Sequence, residues 1–190
     1  MSAYVVKNFW VSERAYYHAI ELCSDPDLLI RYKNNLAYLI RRKEIRYPKE
    51  RSKKEIAVLL RDGIERKDTF SLINMALFWA LEGSTLDDWE IADHLASFIN
   101  QNDILDVLHR WQNVSEDEGG EGYLVHFLLL RHGKMAYSPL GDVASLFEKA
   151  KKVYPQMPDK MKEIVTPFDG RKMGELPNFV PWLKDDDIEW

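Results

Sequence analysis

The sequence predicts an all-α protein built of stacked antiparallel helical hairpins, and three observations predict it. Apolar residues recur at three- and four-residue spacings along most of the chain, which is the period of one helix face. Proline and glycine punctuate these stretches and do not fill them, as breakers between helices do. One string also returns. Ile56-Ala57-x-x-Leu60-x-x-x-Ile64-x-x-x-Asp68 reappears as Ile91-Ala92-x-x-Leu95-x-x-x-Ile99-x-x-x-Asp103, 35 residues later. A fixed offset of that size marks a repeated pair of helices.

Each element follows from its stripe and its cap. Ser12 opens a helix that runs to about Cys23 and stops at Ser24-Asp25-Pro26. Asp27 is placed to cap a longer one, with Leu28, Leu29, Tyr32, Leu36, Leu39 and Ile40 on one face, since a short acidic side chain accepts from the first free backbone N–H groups. Ser52 begins the third after Pro48, and Ile56, Leu59, Leu60 and Ile64 form its stripe. Asp68 caps the fourth, Thr69 to Leu81, which is apolar on nearly every side and therefore central. Thr85 caps a fifth bearing Trp89, Ala92, Leu95 and Phe98, and Asp103 a short sixth ending near Trp111. Beyond the acidic loop Glu116 to Glu121, Tyr123 to Arg131 is again nearly all apolar, and Val143 to Tyr154 is amphipathic. Asn35-Leu36-Ala37-Tyr38 is echoed by Asn74-Met75-Ala76-Leu77; the small residue at the third place lets helices approach closely. The prolines at 158, 167, 177 and 181 break any long element after that. The expected organisation is a helical-repeat domain over 1–157 and an interrupted, acidic-tailed extension over 158–190 that caps or crosses it.

Bulk properties narrow the function classes. The apolar share of 46% supports a packed core. With Cys23 as the only cysteine, no disulfide framework and no thiolate zinc cluster can form within the chain, which favours a reducing compartment. Met1 to Trp10 holds one short apolar patch, Ala3-Tyr4-Val5-Val6, far short of a secretory core or a membrane span, so the expected location is the cytoplasm. The net charge of −5 conceals an asymmetry. Residues 1–70 carry 15 Lys/Arg against 10 Asp/Glu, and residues 71–190 carry 11 against 21. Such a dipole steers charged partners.

Two antiparallel helices in a unit of about 34 residues is the tetratricopeptide spacing. The local match is Phe127 and Leu130, then Phe147-x-x-Ala150-x-x-x-x-Pro155, which resembles the large pair of a first tetratricopeptide helix and the Phe, Ala and terminal Pro of a second. Arg131 stands where that family has a small residue, Lys134 where it has an aromatic, and Val143 in place of its first Ala. Three or four degenerate units over residues 12–155 resemble the family. The resemblance implies a right-handed superhelix whose concave groove binds proteins or peptides, and it implies no chemistry.

Candidate sites follow from that reading. Lys33, Asn34, Asn35, Arg41, Ser71 and Asn74 are expected on the groove-facing helices; a carboxamide offers both donors and an acceptor to a peptide backbone. The alternative for Asn35 and Asn74 is to satisfy buried backbone groups. A second reading rests on Arg41, Arg42, Lys43, Arg46, Lys49, Arg51, Lys53 and Lys54, eight cations in fourteen residues. It makes the chain an anion- or nucleic-acid-binding module, against the plainer role of a solvated helix end and connector. The acidic pI of about 5.6 weighs against general nucleic-acid affinity. A remote third reading starts from Leu130-Arg131-His132-Gly133, which resembles the Arg-His-Gly triplet of histidine phosphatases, where the His is the nucleophile. A helix end explains the same residues, with Arg131 and His132 at the negative pole and Gly133 in a left-handed cap.

No catalytic, cofactor-binding or metal residues are expected. The five histidines are scattered, with no His-Glu-x-x-His, and His126 in its apolar run reads as a buried, hydrogen-bonded histidine. Asp185-Asp186-Asp187 lacks the spaced ligands and glycine of a calcium loop. Trp79, Trp89 and Trp111 read as core, and Trp10, Trp182 and Trp190 as covers for helix ends or a contact surface. The expected function is a non-catalytic protein- or peptide-binding scaffold, a whole protein or one domain of a longer one. Its expected partner is a protein or peptide, acidic where the basic run engages it; uncapped helix ends offer a route to self-association.

Overall fold

The computed structural model describes residues 9–43, 49–82, 85–111 and 120–165, with side chains over 12–41, 54–80, 85–111 and 120–165. Every regular element among them is helical. In order these are α1 (Phe9–Leu22), α2 (Pro26–Lys43), α3 (Lys49–Glu65), α4 (Thr69–Glu82), α5 (Leu86–Ser97), α6 (Ile104–Arg110), α7 (Glu121–Arg131) and α8 (Val143–Val153). Short 3-10 turns occur at Gln101–Asp103 and Asp159–Lys162. The all-α class is therefore observed. The described residues divide into two compact units between Arg66 and Lys67, inside the span 1–157 read from the sequence as one array.

The first unit contains α1, α2 and α3. The helix α1 packs on α2, and α2 on α3; three residues join the first pair, so the chain folds straight back. The faces that meet are those of the apolar stripes, except that Leu28, read into the stripe of α2, is exposed. Leu36, Ala37, Leu39 and Ile40 of α2 are buried, as are Ile56, Ala57, Leu60 and Ile64 of α3. Lys33 of α2 forms an ion pair with Asp62 of α3.

The second unit contains α4 to α8 and the following segment to residue 165. The helix α4 packs on α5 and α7 on α8, and α7 also touches α4 and α5. As its composition demands, α4 is buried on every side, from Ser71 through Ala80. Trp79, Trp89 and Trp111 are core residues, as read from the sequence. Phe127 and Phe147 meet across α7 and α8 with ring centroids 5.5 Å apart, a spacing at which offset aromatic pairs attract.

The caps separate local prediction from observation. Asp68 accepts from Ser71 N at 2.8 Å and Thr85 Oγ1 from Asp88 N at 3.3 Å, both as expected. Four other starts differ. The helix α1 begins at Phe9, so Ser12 is buried inside it. The cap of α2 is Asp25, which accepts from Asp27 N at 2.9 Å and Leu28 N at 3.1 Å. Pro26 takes the first helical position, where its fixed φ and missing N–H are favourable; Asp27 thus becomes a first-turn residue. The helix α3 begins at Lys49, ahead of Ser52. Asp103 makes no side-chain cap to α6; it accepts from Thr69 Oγ1 at 2.9 Å instead, and Asn100 caps the preceding 3-10 turn. Asp142, unrecognised in the sequence, caps α8 through Ser145 N at 2.8 Å.

Gly133 fulfils its expected role at the end of α7. Its φ is +61°, its N–H donates to Leu130 O at 3.0 Å, and Lys134 N donates to Leu129 O at 2.8 Å. These two bonds define the Schellman motif.

Candidate functional site

The expected groove residues divide by unit and by burial. On α2, adjacent positions turn by about 100° around the axis, so Lys33, Asn34 and Asn35 fan apart: Asn34 is buried, and Lys33 and Asn35 are half-buried. Arg41 is buried, its guanidinium carbon 5.3 Å from the Tyr38 ring centroid. Ser71 and Asn74 belong to the second unit and are 1% and 2% exposed. Ser71 Oγ donates to the capping carboxylate of Asp68 at 2.8 Å, so this hydroxyl reinforces the start of α4. Of the basic run, Lys54 is exposed and Arg41 buried. The side chains of Arg42, Lys43, Lys49, Arg51 and Lys53, and all of Arg46, lie outside the described residues, as do Asp185 to Asp187, Trp182 and Trp190.

Among the described residues, the densest polar cluster lies where α7 ends. Because α7 carries Arg131 in its last turn and His132 at its C-cap, both reach Asp93, which faces them from α5. Arg131 Nε and Nη2 donate to the two Asp93 oxygens at 2.8 and 3.0 Å, a two-point geometry suited to a planar guanidinium. His132 Nε2 lies 2.6 Å from Asp93 Oδ1. Arg131 Nη1 turns the other way and donates to Met161 O at 2.8 Å and to Glu163 O. Burial alone would push the Asp93 carboxyl up; the hydrogen bonds from His132 and Arg131, helped by their charges, outweigh it and hold the pKa at about 2. Arg131 is 7% exposed. Each guanidinium nitrogen is engaged inside the fold, and the apolar run before the Arg-His-Gly triplet is helix α7.

A second buried polar pair lies nearby in sequence. His126 Nδ1 is 2.8 Å from Ser138 Oγ, and Ser138 Oγ accepts from Leu140 N at 3.1 Å. Both residues are buried, as read from the sequence for His126. His126 Nε2 has no hydrogen-bond partner among the described residues, and burial lowers the ring's pKa to about 4. Asp93 and His94 point apart, as neighbours on a helix must: His94 stacks edge-on against Phe98, with ring centroids 5.0 Å apart.

The sequence carried no signal for Asp93 as the partner of Arg131, because 38 residues separate them. The same holds for the segment after α8. Residues 154–165 form a strap that contacts α5, α7 and α8; the rest of the extension read from the sequence, 166–190, lies outside the described residues. Met157 and Met161 are buried, and the 3-10 turn Asp159–Lys162 packs on α8. Lys160 pairs with Glu90 of α5, Lys162 with Glu148 of α8 at 2.7 Å, and Asp159 with Lys151 of α8.

Large apolar side chains stand exposed elsewhere. In the first unit these are Tyr17, Leu22 (72% exposed) and Leu28, the two leucines flanking the α1–α2 turn. In the second unit, Leu86, Leu105 (80% exposed), Tyr137 and Ile164 are exposed. Among the described residues no three His, Cys, Asp or Glu side chains group as metal ligands, and no helix is long and apolar enough to cross a membrane. Comparison of the chain with protein-family models, curated proteins and solved structures returns no match.

Proposed function

We propose that this chain is a non-catalytic protein- or peptide-binding scaffold of helical hairpins packed in the tetratricopeptide manner. The observation that carries the reading is the α1–α2 turn, where Tyr17, Leu22 and Leu28 are exposed within one hairpin. An apolar surface of this kind gains free energy when a partner removes it from water. The polar chemistry supports the same reading. The strongest ion-pair cluster, Asp93-Arg131-His132, is spent on holding α5, α7 and the strap together. A phosphate seeking the Arg131 guanidinium would have to displace Asp93. The free thiol of Cys23 suits a reducing cytoplasm.

Photo-reactive residues placed at Leu22 and Leu28 test the reading. Cross-linking in cell extract should capture a defined partner at both positions, and Leu22→Glu with Leu28→Lys should abolish its co-purification with the chain. Capture that persists unchanged in the doubly charged variant, or none above background, would overturn it.

A further inference from the structure

We propose that residues 154–165 are the chain's own occupant of a peptide-binding seat on the second unit, displaced by a partner segment of the same chemistry. This deepens the scaffold reading and rests on it. The strap is attached in the way a bound peptide is attached. Two apolar anchors four residues apart, Met157 and Met161, are buried, Met161 at 2% exposure. One buried cation, Arg131, holds the backbone through the carbonyls of Met161 and Glu163. The rim is ionic: Glu90 and Glu148 face Lys160 and Lys162, and Lys151 faces Asp159. A desolvated centre inside a polar, exposed rim is the anatomy of an interface.

The two kinds of contact set the specificity. A guanidinium gripping carbonyl oxygens reads backbone and accepts any residue there. Methionine anchors are flexible and fill seats that other unbranched or branched apolar side chains can share. The rim adds sign: acid two positions before the second anchor, lysines on either side of it. The matching partner is therefore a protein segment with apolar residues at i and i+4, an acidic residue at i+2, and lysines at i+3 and i+5. Arg131 is itself anchored by Asp93, whose carboxylate His132 also holds, so the seat stays formed when the strap leaves. Because the strap competes from within the same chain, its effective concentration is of millimolar order, and an external segment binds the unaltered chain more weakly than one whose strap is weakened.

A fluorescein-labelled synthetic peptide of residues 154–165, titrated by anisotropy into the full chain, tests this. Met161→Asp in the chain unseats the strap, and the labelled peptide should bind that variant at least tenfold more tightly than it binds the unaltered chain. A peptide carrying the same Met161→Asp change should not bind. Hydrogen exchange in α4 and α5 reports whether the second unit stays folded, and Met157→Asp replaces Met161→Asp if it does not. Refusal of the peptide by a folded variant overturns the proposal, and so does loss of protection in both variants, which would make the strap part of the core. A dimer of the unaltered chain that dissolves on Met161→Asp would assign the seat to a second copy and overturn the partner claim. None of these failures touches the cross-linking test at Leu22 and Leu28, which decides the broader reading separately.

Discussion

Burial opposes charge at both Asp93 and His126, and only Asp93 has partners that reverse the effect. The consequences for acid stability have different windows. His126 is held neutral in the fold, with a pKa of about 4 against the ordinary 6.5. The unfolded chain therefore takes up a proton first, and stability falls as pH drops from about 6.5 towards 4, by on the order of 3 kcal/mol. His126→Asn, which can keep a bond to Ser138 without titrating, should flatten that part of the profile in urea denaturation across pH. Asp93 has its pKa depressed to about 2 from 3.8, so its contribution is present above the unfolded value and disappears as pH falls through the folded one. Removing the guanidinium at neutral pH leaves a buried carboxylate with His132 alone: Arg131→Leu should cost about 3–5 kcal/mol, read as a shift of the urea midpoint at unchanged slope. A cost below about 1 kcal/mol would show that the pair contributes little to holding α5 against α7.

At the scale of the element, the caps predict losses of different size for two nearby acids. Asp25 accepts from two backbone N–H groups of α2, whereas Asp27 lies in the first turn. Asp25→Ala should lower stability by about 1 kcal/mol, and Asp27→Ala by only about 0.3 kcal/mol through the helix dipole. Thermal unfolding of the two variants side by side distinguishes them. Asp142→Ala should behave like Asp25→Ala, because it caps α8 by the same bond. The start of α7 depends on a glycine: Gly120 has φ +68°, and a Cβ there would lie 2.7 Å from Val153 Cγ2 of α8. Only a residue without a side chain permits that turn and that approach together.

Across the whole molecule, the described chain is two helical units, and each has its own buried seam. Leu36 lies in the first and Phe127 in the second, both fully buried. Leu36→Ala should cost about 2–5 kcal/mol and Phe127→Ala about 3–5 kcal/mol, since each leaves a cavity that close-packed neighbours only partly fill. Hydrogen exchange should show the first loss in α2 and α3 and the second in α7 and α8; equal loss of protection everywhere would mean the two units unfold as one.

The helical class, the apolar faces and several helix ends were legible in the sequence because their causes are local. A stripe at 3.6-residue spacing dictates which side of α2 or α3 is buried, and Asp68, Thr85 and Gly133 act on backbone groups within four residues of themselves. The same local reading failed at Asp27, where Pro26 shifts the helix start, and at Asp103, where Thr69 recruits the carboxylate across 34 residues. The site chemistry was largely illegible. Asp93 and Arg131 are each ordinary surface-type residues until α5 and α7 are packed together, and the residues after Pro155 look like a broken tail until Met157 and Met161 are buried. Which helix faces meet, and so which charges are enclosed and which peptide carbonyls a guanidinium can reach, depends on side chains far apart in the chain competing to leave water. No pattern within a single segment encodes that outcome; only the packed structure decides it.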